Sequence, residues 1–195
     1  MDVRLSPEQR ALRDSAVQLV GRLGPSTVAA LDDKERRAKL DAAIDAAGWR
    51  DLRAGDDDGQ PWASAVEVAI VAEELARGVA DAPFLGPTLA ADLRRRAGAP
   101  AATAREVIGL RADLGGLGTA TAVDAAGSST ALTLLPVDGG HALGAVALAS
   151  PEIRADLTRE MADAADAEPT SVPDQARVLT DDDLSAWTAL GLTVT

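Results

Sequence analysis

The chain has 195 residues, a formal net charge of −12 and no cysteine. The acidic balance disfavours a nucleic-acid partner, because it repels phosphate, and the lack of cysteine excludes disulfides, thiol nucleophiles and cysteine metal sites. Hydrophobic residues make up 47% of the chain but aromatic residues only 2%, so alanine, leucine and valine must fill the core. The charged first residues lack the apolar stretch of a signal peptide, and no apolar run is long enough to span a membrane. We therefore expect a soluble, cytoplasmic protein.

The first helix is expected near the start of the chain. Ser6 provides a side-chain cap, Pro7 suits the first turn, and Gln9 stands where it completes a capping box. Gly24, which is followed by a proline, ends the helical pattern. Between these signals, apolar residues recur on one face at helical spacing. Those residues are Leu12, Ala16, Leu19, Val20 and Leu23.

Three further helices are predicted in the first half. The second covers about residues 33–47 and ends at Gly48, a glycine C-cap. The third covers residues 62–77 and is apolar on much of its circumference, which is typical of a helix at the centre of a bundle. The fourth covers about residues 87–98. The basic cluster Arg94–Arg96 near its end is interpreted as cations that complement the helix dipole, with an anion or phosphate contact as the alternative.

The pattern changes after an expected linker at residues 98–102, where short strands separated by glycine-rich turns begin. Asp138-Gly139-Gly140 is a hairpin signal, and a short last helix is predicted to begin at Asp181. The chain is thus predicted to have an α+β fold, in which an N-terminal α-helical bundle, residues 1–98, precedes a small antiparallel β domain, residues 105–180. The expected strands cover residues 107–111, 119–123, 131–137 and 142–148.

Local chemistry assembles no active site. His141 is the only histidine, and no activated-serine motif accompanies it. The offsets of Asp56, Asp58, Gln60 and Glu67 are similar to those of a calcium loop, but Pro61 occupies the position where that loop needs glycine. Gly115–Gly118 lacks the spacing and the following helix of a dinucleotide loop, so it is interpreted as a turn between strands. Glu73 and Glu74 would point about 100° apart on a helix, which favours ion pairing over acid–base catalysis.

Several longer segments occur in a characteristic order. The segment LSPEQRALRD occupies residues 5–14, Ala46-Ala47-Gly48-Trp49 stands at a predicted helix end, and Glu73-Glu74-Leu75 with Arg77 ends the third helix. Asp156–Glu160 and Asp181–Gly191 follow in the second half. With these segments, the chain resembles the first half of an acyl-CoA dehydrogenase.

The resemblance is strongest over residues 2–98 and weaker over residues 105–195. It implies that residues 1–98 are the N-terminal helical domain of that family. It further implies that residues 105–180 are a shortened middle β domain. Residues 181–195 would then be the start of a C-terminal helical domain that is absent from this chain.

An acyl-CoA dehydrogenase oxidises the Cα–Cβ bond of an acyl-CoA thioester, and a glutamate removes the α proton while hydride passes to FAD. That glutamate usually lies in the C-terminal domain, so the resemblance gives this chain no catalytic residue. Residues 105–179 contain neither a Thr-Glu-x-x-x-Gly-Ser-Asp-type nor a Trp-Ile-Thr/Ser-type flavin segment, and the loop Asp57–Pro61 replaces the family's Gly-Gly-x-Gly loop. No cofactor-binding or metal-binding residue is therefore predicted. By position alone, Pro83, Phe84 and Pro87 are expected to border the acyl chain.

The resemblance implies a degenerate or truncated subunit, inactive alone, in a homo- or hetero-oligomer with a complete acyl-CoA dehydrogenase subunit. An intact form or that partner would bind FAD and the acyl-CoA substrate. Partner helices should then cover Leu184, Trp187 and Leu190. The alternative is a non-catalytic module that reuses the fold to bind acyl-CoA or a protein. A third possibility is an unrelated α+β domain.

Overall fold

The computed structural model describes residues 4–56, 58–149, 158–164 and 168–194. Asp57 of the acidic loop and the first two residues of Asp156–Glu160 lie outside these ranges. The helices are α1 (Pro7–Leu23), α2 (Lys34–Ala46), α3 (Ala65–Arg77), α4 (Leu85–Ala97) and α5 (Asp181–Val194), with 3₁₀ turns at Val28–Asp32 and Trp49–Asp51. The strands are β1 (Val107–Leu110), β2 (Thr121–Ala122), β3 (Thr130–Val137), β4 (Gly140–Ala149), β5 (Ala162–Ala164) and β6 (Thr170–Ser171).

The start of α1 forms as its sequence predicts. The Ser6 hydroxyl accepts a hydrogen bond from the Gln9 backbone N–H at 3.2 Å, and Gln9 Oε1 accepts one from the Ser6 N–H at 3.0 Å. Helix α3 begins three residues later than expected, because Ser64 and Glu67 form a second capping box that fixes its first turn. The Gln9 amide donates to Glu67 Oε1 at 2.7 Å, so the two helix starts are joined.

The helices of the first half form one packed layer. Helix α1 packs on α2 and α3, and a Cβ at Gly78 would lie only 1.7 Å from Val20 Cγ1. The end of α3 therefore approaches α1 at a distance that only glycine allows. Helix α4 ends at Gly98, whose φ of 59° is the left-handed C-cap conformation expected from the sequence.

The strands form a sheet in the order β3-β1-β2-β5-β4-β6, and an additional β3–β4 pairing closes a ring. The β3–β4 hairpin is antiparallel, with Val137 opposite Gly140 at its turn, as the Asp138-Gly139-Gly140 signal predicts. The expectation of a purely antiparallel sheet is wrong in one pair, because β1 and β3 are parallel. Parallel neighbours need a long connection, because the chain must return to the end of the sheet where the first strand began. Here β2 and its flanking loops form that connection between β1 and β3.

The sheet and the helices share a hydrophobic core. Ile108, Leu132 and Leu143 of the sheet belong to the same buried cluster as the helical layer, and α4 packs directly on β1. A Cβ at Gly86, near the start of α4, would lie 2.4 Å from the Val123 carbonyl oxygen. This close approach fixes the position of α4 against the sheet.

Helix α5 returns to the helical layer and packs on α3 and α4. Trp187 and Leu190 are 6% and 4% exposed, and the Trp187 indole N–H donates to the Leu89 carbonyl at 3.0 Å. Partner helices were expected to cover these two side chains, but the chain's own α3 and α4 already do so. Leu184 is half-buried at the edge of the same contact. None of the helices within the described ranges is both long and apolar enough to cross a bilayer.

Candidate functional site

A groove of about 880 Å³ lies between α4, the loop after Trp49–Asp51 and the connection from α4 to β1. Pro87, Ala90 and Ala91 line it from α4, at helical spacing on one face. Small residues line it from the connection, so that wall of the groove has no bulky side chain. Those residues are Gly98, Ala99, Ala101, Ala102, Thr103 and Ala104.

Two arginines and two aspartates form a cluster on one side of the groove. Arg50 is 5% exposed, donates to the Pro83 carbonyl at 2.7 Å and pairs with both Asp41 and Asp45. Arg105 pairs with the same two carboxylates at 3.1 and 2.9 Å. This cluster joins α2 to the segment just before β1. Its two positive and two negative charges cancel.

A second ion pair lies where the connection leaves α4. Arg94 Nη2 donates to Glu106 Oε1 at 2.8 Å, and its Nε donates to the other carboxylate oxygen. The two side chains are 14% and 13% exposed. Arg94 Nη1 also donates to the Pro100 carbonyl at 2.8 Å. The guanidinium thus contacts both ends of the connection.

A fully buried carboxylate, Asp92, lies on α4 next to the groove and contacts three arginines. Arg53 and Arg95 each approach Asp92 Oδ1 to 2.9 Å, and Arg96 donates to Oδ2 at 2.6 Å. Burial alone raises the pKa of Asp92, but hydrogen bonds from Arg96 and Arg95 outweigh it and hold that pKa below its usual range. The Arg95 side chain also reaches the Gly59 carbonyl at 3.1 Å, which links α4 to the acidic loop.

The groove therefore has little capacity for additional anionic groups. Each of its four guanidinium groups already contacts a carboxylate of the chain, and five carboxylates line the groove. The arginines are Arg50, Arg94, Arg95 and Arg105, and the carboxylates are Asp41, Asp45, Asp51, Asp56 and Glu106.

The N-terminus of α4 is occupied by a carboxylate from the β half. Asp124 Oδ2 accepts hydrogen bonds from the backbone N–H groups of Phe84, Leu85 and Gly86, at 3.3, 2.9 and 3.4 Å. Arg159 Nη1 approaches both oxygens of the same carboxylate, at 2.8 and 2.9 Å. Asp124 is 2% exposed and has a φ of 55°. The helix end that would attract a phosphate is thus closed by the chain itself.

The groove and the N-terminus of α4 do not fit a flavin dinucleotide. Its pyrophosphate needs free cations or free backbone N–H groups. Here the groove arginines and the α4 N-terminus are bonded to carboxylates of the same chain.

The three residues expected to border an acyl chain have different surroundings. Pro87 lines the groove. Pro83 is buried and its carbonyl accepts from Arg50. Phe84 is 2% exposed and lies in the shared core. Only Pro87 lies at the groove, and its contact with an acyl chain stays a prediction.

The other patterns singled out in the sequence have structural contacts. Glu67, which completes the calcium-like spacing, lies in the α3 capping box, and Asp56 accepts hydrogen bonds from backbone N–H groups of its own loop. Gly115–Gly118 forms part of the turn between β1 and β2, as predicted. The His141 backbone pairs with that of Leu179. Over the described ranges, no group of three or more His, Asp or Glu side chains could hold a metal ion.

Sequence reasoning missed both charged clusters. The spacing of Asp92 from Arg95 and Arg96 would have predicted pairs on one helix face. Nothing in the local sequence indicates that Arg53 reaches the same carboxylate. The same holds for Arg105, which contacts α2 from a point far along the chain.

No protein-family model, no curated protein and no solved structure matches this chain.

Proposed function

We propose that this chain is a degenerate cytoplasmic subunit of an acyl-CoA dehydrogenase-like flavoenzyme, which α,β-dehydrogenates acyl-CoA thioesters. The observation that supports this best is how the helical and β parts are packed. The four helices of the first half contribute to one buried core, the sheet packs on α4, and α5 returns to pack on α3 and α4. The resemblance in sequence implies the same order of helical, β and helical parts.

The contacts in the groove favour a non-catalytic role. A base that removes an α proton must place a carboxylate oxygen within hydrogen-bond reach of the substrate. Asp41, Asp45 and Glu106 instead direct oxygens at guanidinium groups of the chain. A complete partner subunit would therefore contribute the catalytic glutamate and the FAD.

The outer face of α5 supports association with such a partner. Leu192 is 76% exposed, and Ala186 and Ala189 are exposed on the same helix. The inner face of α5 is already packed through Trp187 and Leu190. A homo- or hetero-oligomer would cover the apolar surface that remains.

A second candidate is a non-catalytic binding module, and the groove of about 880 Å³ favours it. Its lining has five carboxylates and four guanidinium groups. This balance disfavours acyl-CoA, which carries several phosphate charges. A protein segment or an uncharged ligand suits the groove better.

Purification of an affinity-tagged form of the chain from its native host distinguishes the two candidate functions. The proposal predicts that a complete acyl-CoA dehydrogenase subunit co-elutes in a fixed ratio, and that the isolated chain has no dehydrogenase activity and no measurable affinity for acyl-CoA. Leu192→Asp should reduce recovery of that subunit. Val28→Asp, at a side chain that is 75% exposed outside α5, is the matched control and should not. Co-elution of an unrelated protein without any acyl-CoA dehydrogenase subunit would favour the binding module instead.

A further inference from the structure

A short hairpin forms one wall of the groove, and we call it the Trp62 loop (residues 54–56 and 58–62). The Trp62 N–H donates to the Ala54 carbonyl at 3.1 Å, and the Asp56 N–H donates to the Gln60 carbonyl at 2.8 Å. These bonds pair the two sides of the loop, so its backbone is held in place. The loop residues that line the groove are Ala54, Gly55, Asp56 and Gly59.

The loop presents an exposed tryptophan at the rim of the groove. Trp62 is 68% exposed, whereas Trp49 and Trp187 are 5% and 6% exposed. Its backbone pairs with Ala54, which lines the groove. Most tryptophans are largely buried, and tryptophan is enriched among the residues that carry the binding energy of protein interfaces. An indole on a fixed backbone beside a groove therefore indicates a contact point for a partner.

The charges that remain uncompensated in the groove are negative. All four of its guanidinium groups are paired, but Asp51 and Asp56 have no cationic partner among the residues that the structure describes. Asp56 Oδ1 accepts hydrogen bonds from the backbone N–H groups of Asp58 and Gln60. Its Oδ2 accepts none within the same described ranges. The groove is thus complementary to a cation that a partner brings.

Two further walls of the groove favour a peptide over a small organic cation. In the described part of the chain, the backbone groups of residues 101–104 form no hydrogen bond to other residues. Such free N–H and carbonyl groups can pair with the backbone of a bound segment. Pro87, Ala90 and Ala91 add an apolar surface on α4. A small cation would leave both of these surfaces unused.

We propose that the groove and the Trp62 loop bind a segment of another protein in which an arginine or lysine stands between small residues. The cationic side chain lies against the Trp62 indole and pairs with the Asp56 carboxylate. The small neighbours lie over Ala90 and Ala91. The residues that line the groove come from elements other than α5, so this surface does not depend on a dehydrogenase subunit that binds through α5.

Peptide display on the complete chain supplies the probe. A random heptapeptide phage library is selected on the immobilised chain, after phage that bind the Trp62→Ala variant have been removed. Because Trp62 is exposed, this variant should fold, and circular dichroism checks that it does. We expect the selected peptides to contain arginine or lysine next to alanine, glycine or serine. A selection that enriches no sequence, or only sequences without a cationic residue, would overturn the proposal.

The anisotropy of a fluorescent copy of the strongest selected peptide measures the contribution of each residue. Trp62→Ala should weaken binding about tenfold, as loss of a central interface tryptophan does. Asp56→Asn keeps an oxygen for the loop N–H groups and should weaken binding about threefold, because a partly exposed ion pair contributes less. Asp138→Asn makes the same charge change at an exposed hairpin residue outside the groove. Equal weakening by Asp138→Asn and Asp56→Asn would contradict the proposed pair.

Acrylamide quenching of tryptophan fluorescence locates the peptide on the parent chain. Trp49 and Trp187 are buried, so Trp62 should account for most of the quenching. The bound peptide should lower it, whereas unchanged quenching at saturating peptide would place the peptide elsewhere and overturn the proposal. Spermidine is the control for a small cation. If spermidine displaced the peptide at a lower concentration than the unlabelled peptide does, the groove would be a site for small cations instead.

Discussion

The indole N–H of Trp187 donates a hydrogen bond to the carbonyl oxygen of Leu89, 98 positions earlier in the chain. Both residues lie in the buried core. The bond therefore joins α5 directly to α4. It is a buried, directional contact that holds α5 in place.

Loss of that bond should weaken the whole domain. Trp187→Phe keeps an aromatic ring but removes the donor, and it should lower the free energy of unfolding by about 1–2 kcal/mol. Trp62→Phe is the matched control, because Trp62 is 68% exposed, and it should change the same quantity by less than about 0.5 kcal/mol. Urea denaturation followed by circular dichroism measures both. Equal effects of the two substitutions would mean that α5 is not docked as described.

Substitution of Asp92 should strongly lower the free energy of unfolding. Asp92→Asn removes a carboxylate that contacts three mostly buried guanidinium groups, and leaving buried charges unpaired should cost about 3–5 kcal/mol. Asp138→Asn, at an exposed hairpin residue, should cost less than about 0.5 kcal/mol. Denaturant titration at neutral pH measures the difference. A cost for Asp92→Asn as small as that for Asp138→Asn would contradict the described contacts.

The contribution of Asp92 to the free energy of unfolding should also depend on pH. Its pKa is lowered in the folded protein, so the stabilisation is fully present above the unfolded aspartate pKa of about 3.9 and is lost as the pH falls through the lower folded pKa. The stability gap between the parent chain and Asp92→Asn should therefore be constant near neutral pH and shrink in acid. Denaturation at a series of pH values tests this, and a gap that widens in acid would refute the assignment.

Gly86 should tolerate no side chain. Gly86→Ala would place a Cβ 2.4 Å from the Val123 carbonyl oxygen, and we expect it to cost about 1–3 kcal/mol, because backbone must move. Gly21→Ala is the control, because a Cβ there meets nothing within 4 Å. Gly21 lies inside α1, so that change should stabilise the protein by about 0.5–1 kcal/mol. In thermal unfolding, Gly86→Ala should lower the melting temperature and Gly21→Ala should raise it. A higher melting temperature for both variants would contradict the α4–sheet contact.

Asp124 should stabilise α4 through its charge as well as its hydrogen bonds. Asp124→Asn keeps one acceptor oxygen and tolerates the positive φ, but it loses the pair with Arg159. We expect a cost of about 1–3 kcal/mol in denaturant unfolding. Raising the salt concentration should not abolish the effect, because the carboxylate is 2% exposed. If Asp124→Asn left the free energy of unfolding unchanged, Asp124 would not cap α4.

The features that could be predicted from the sequence are local ones. Ser6 and Gln9 stand three residues apart, so one turn of chain decides their pairing, and Gly98 ends α4 through its own backbone conformation. The pairing of β1 with β3 and the contacts of Arg53 and Arg105 depend on segments that are distant in sequence. Those contacts form only once the helices and the sheet share a core, and no local pattern encodes them.

The visible absorption spectrum of the purified chain tests the proposed function most directly. We predict no flavin bands from the chain alone, because its arginines and the α4 N-terminus already bind carboxylates. Flavin bands should appear when the chain is isolated together with a complete acyl-CoA dehydrogenase subunit. Flavin bound by the chain alone would contradict the described site, and no flavin in either sample would favour the binding module.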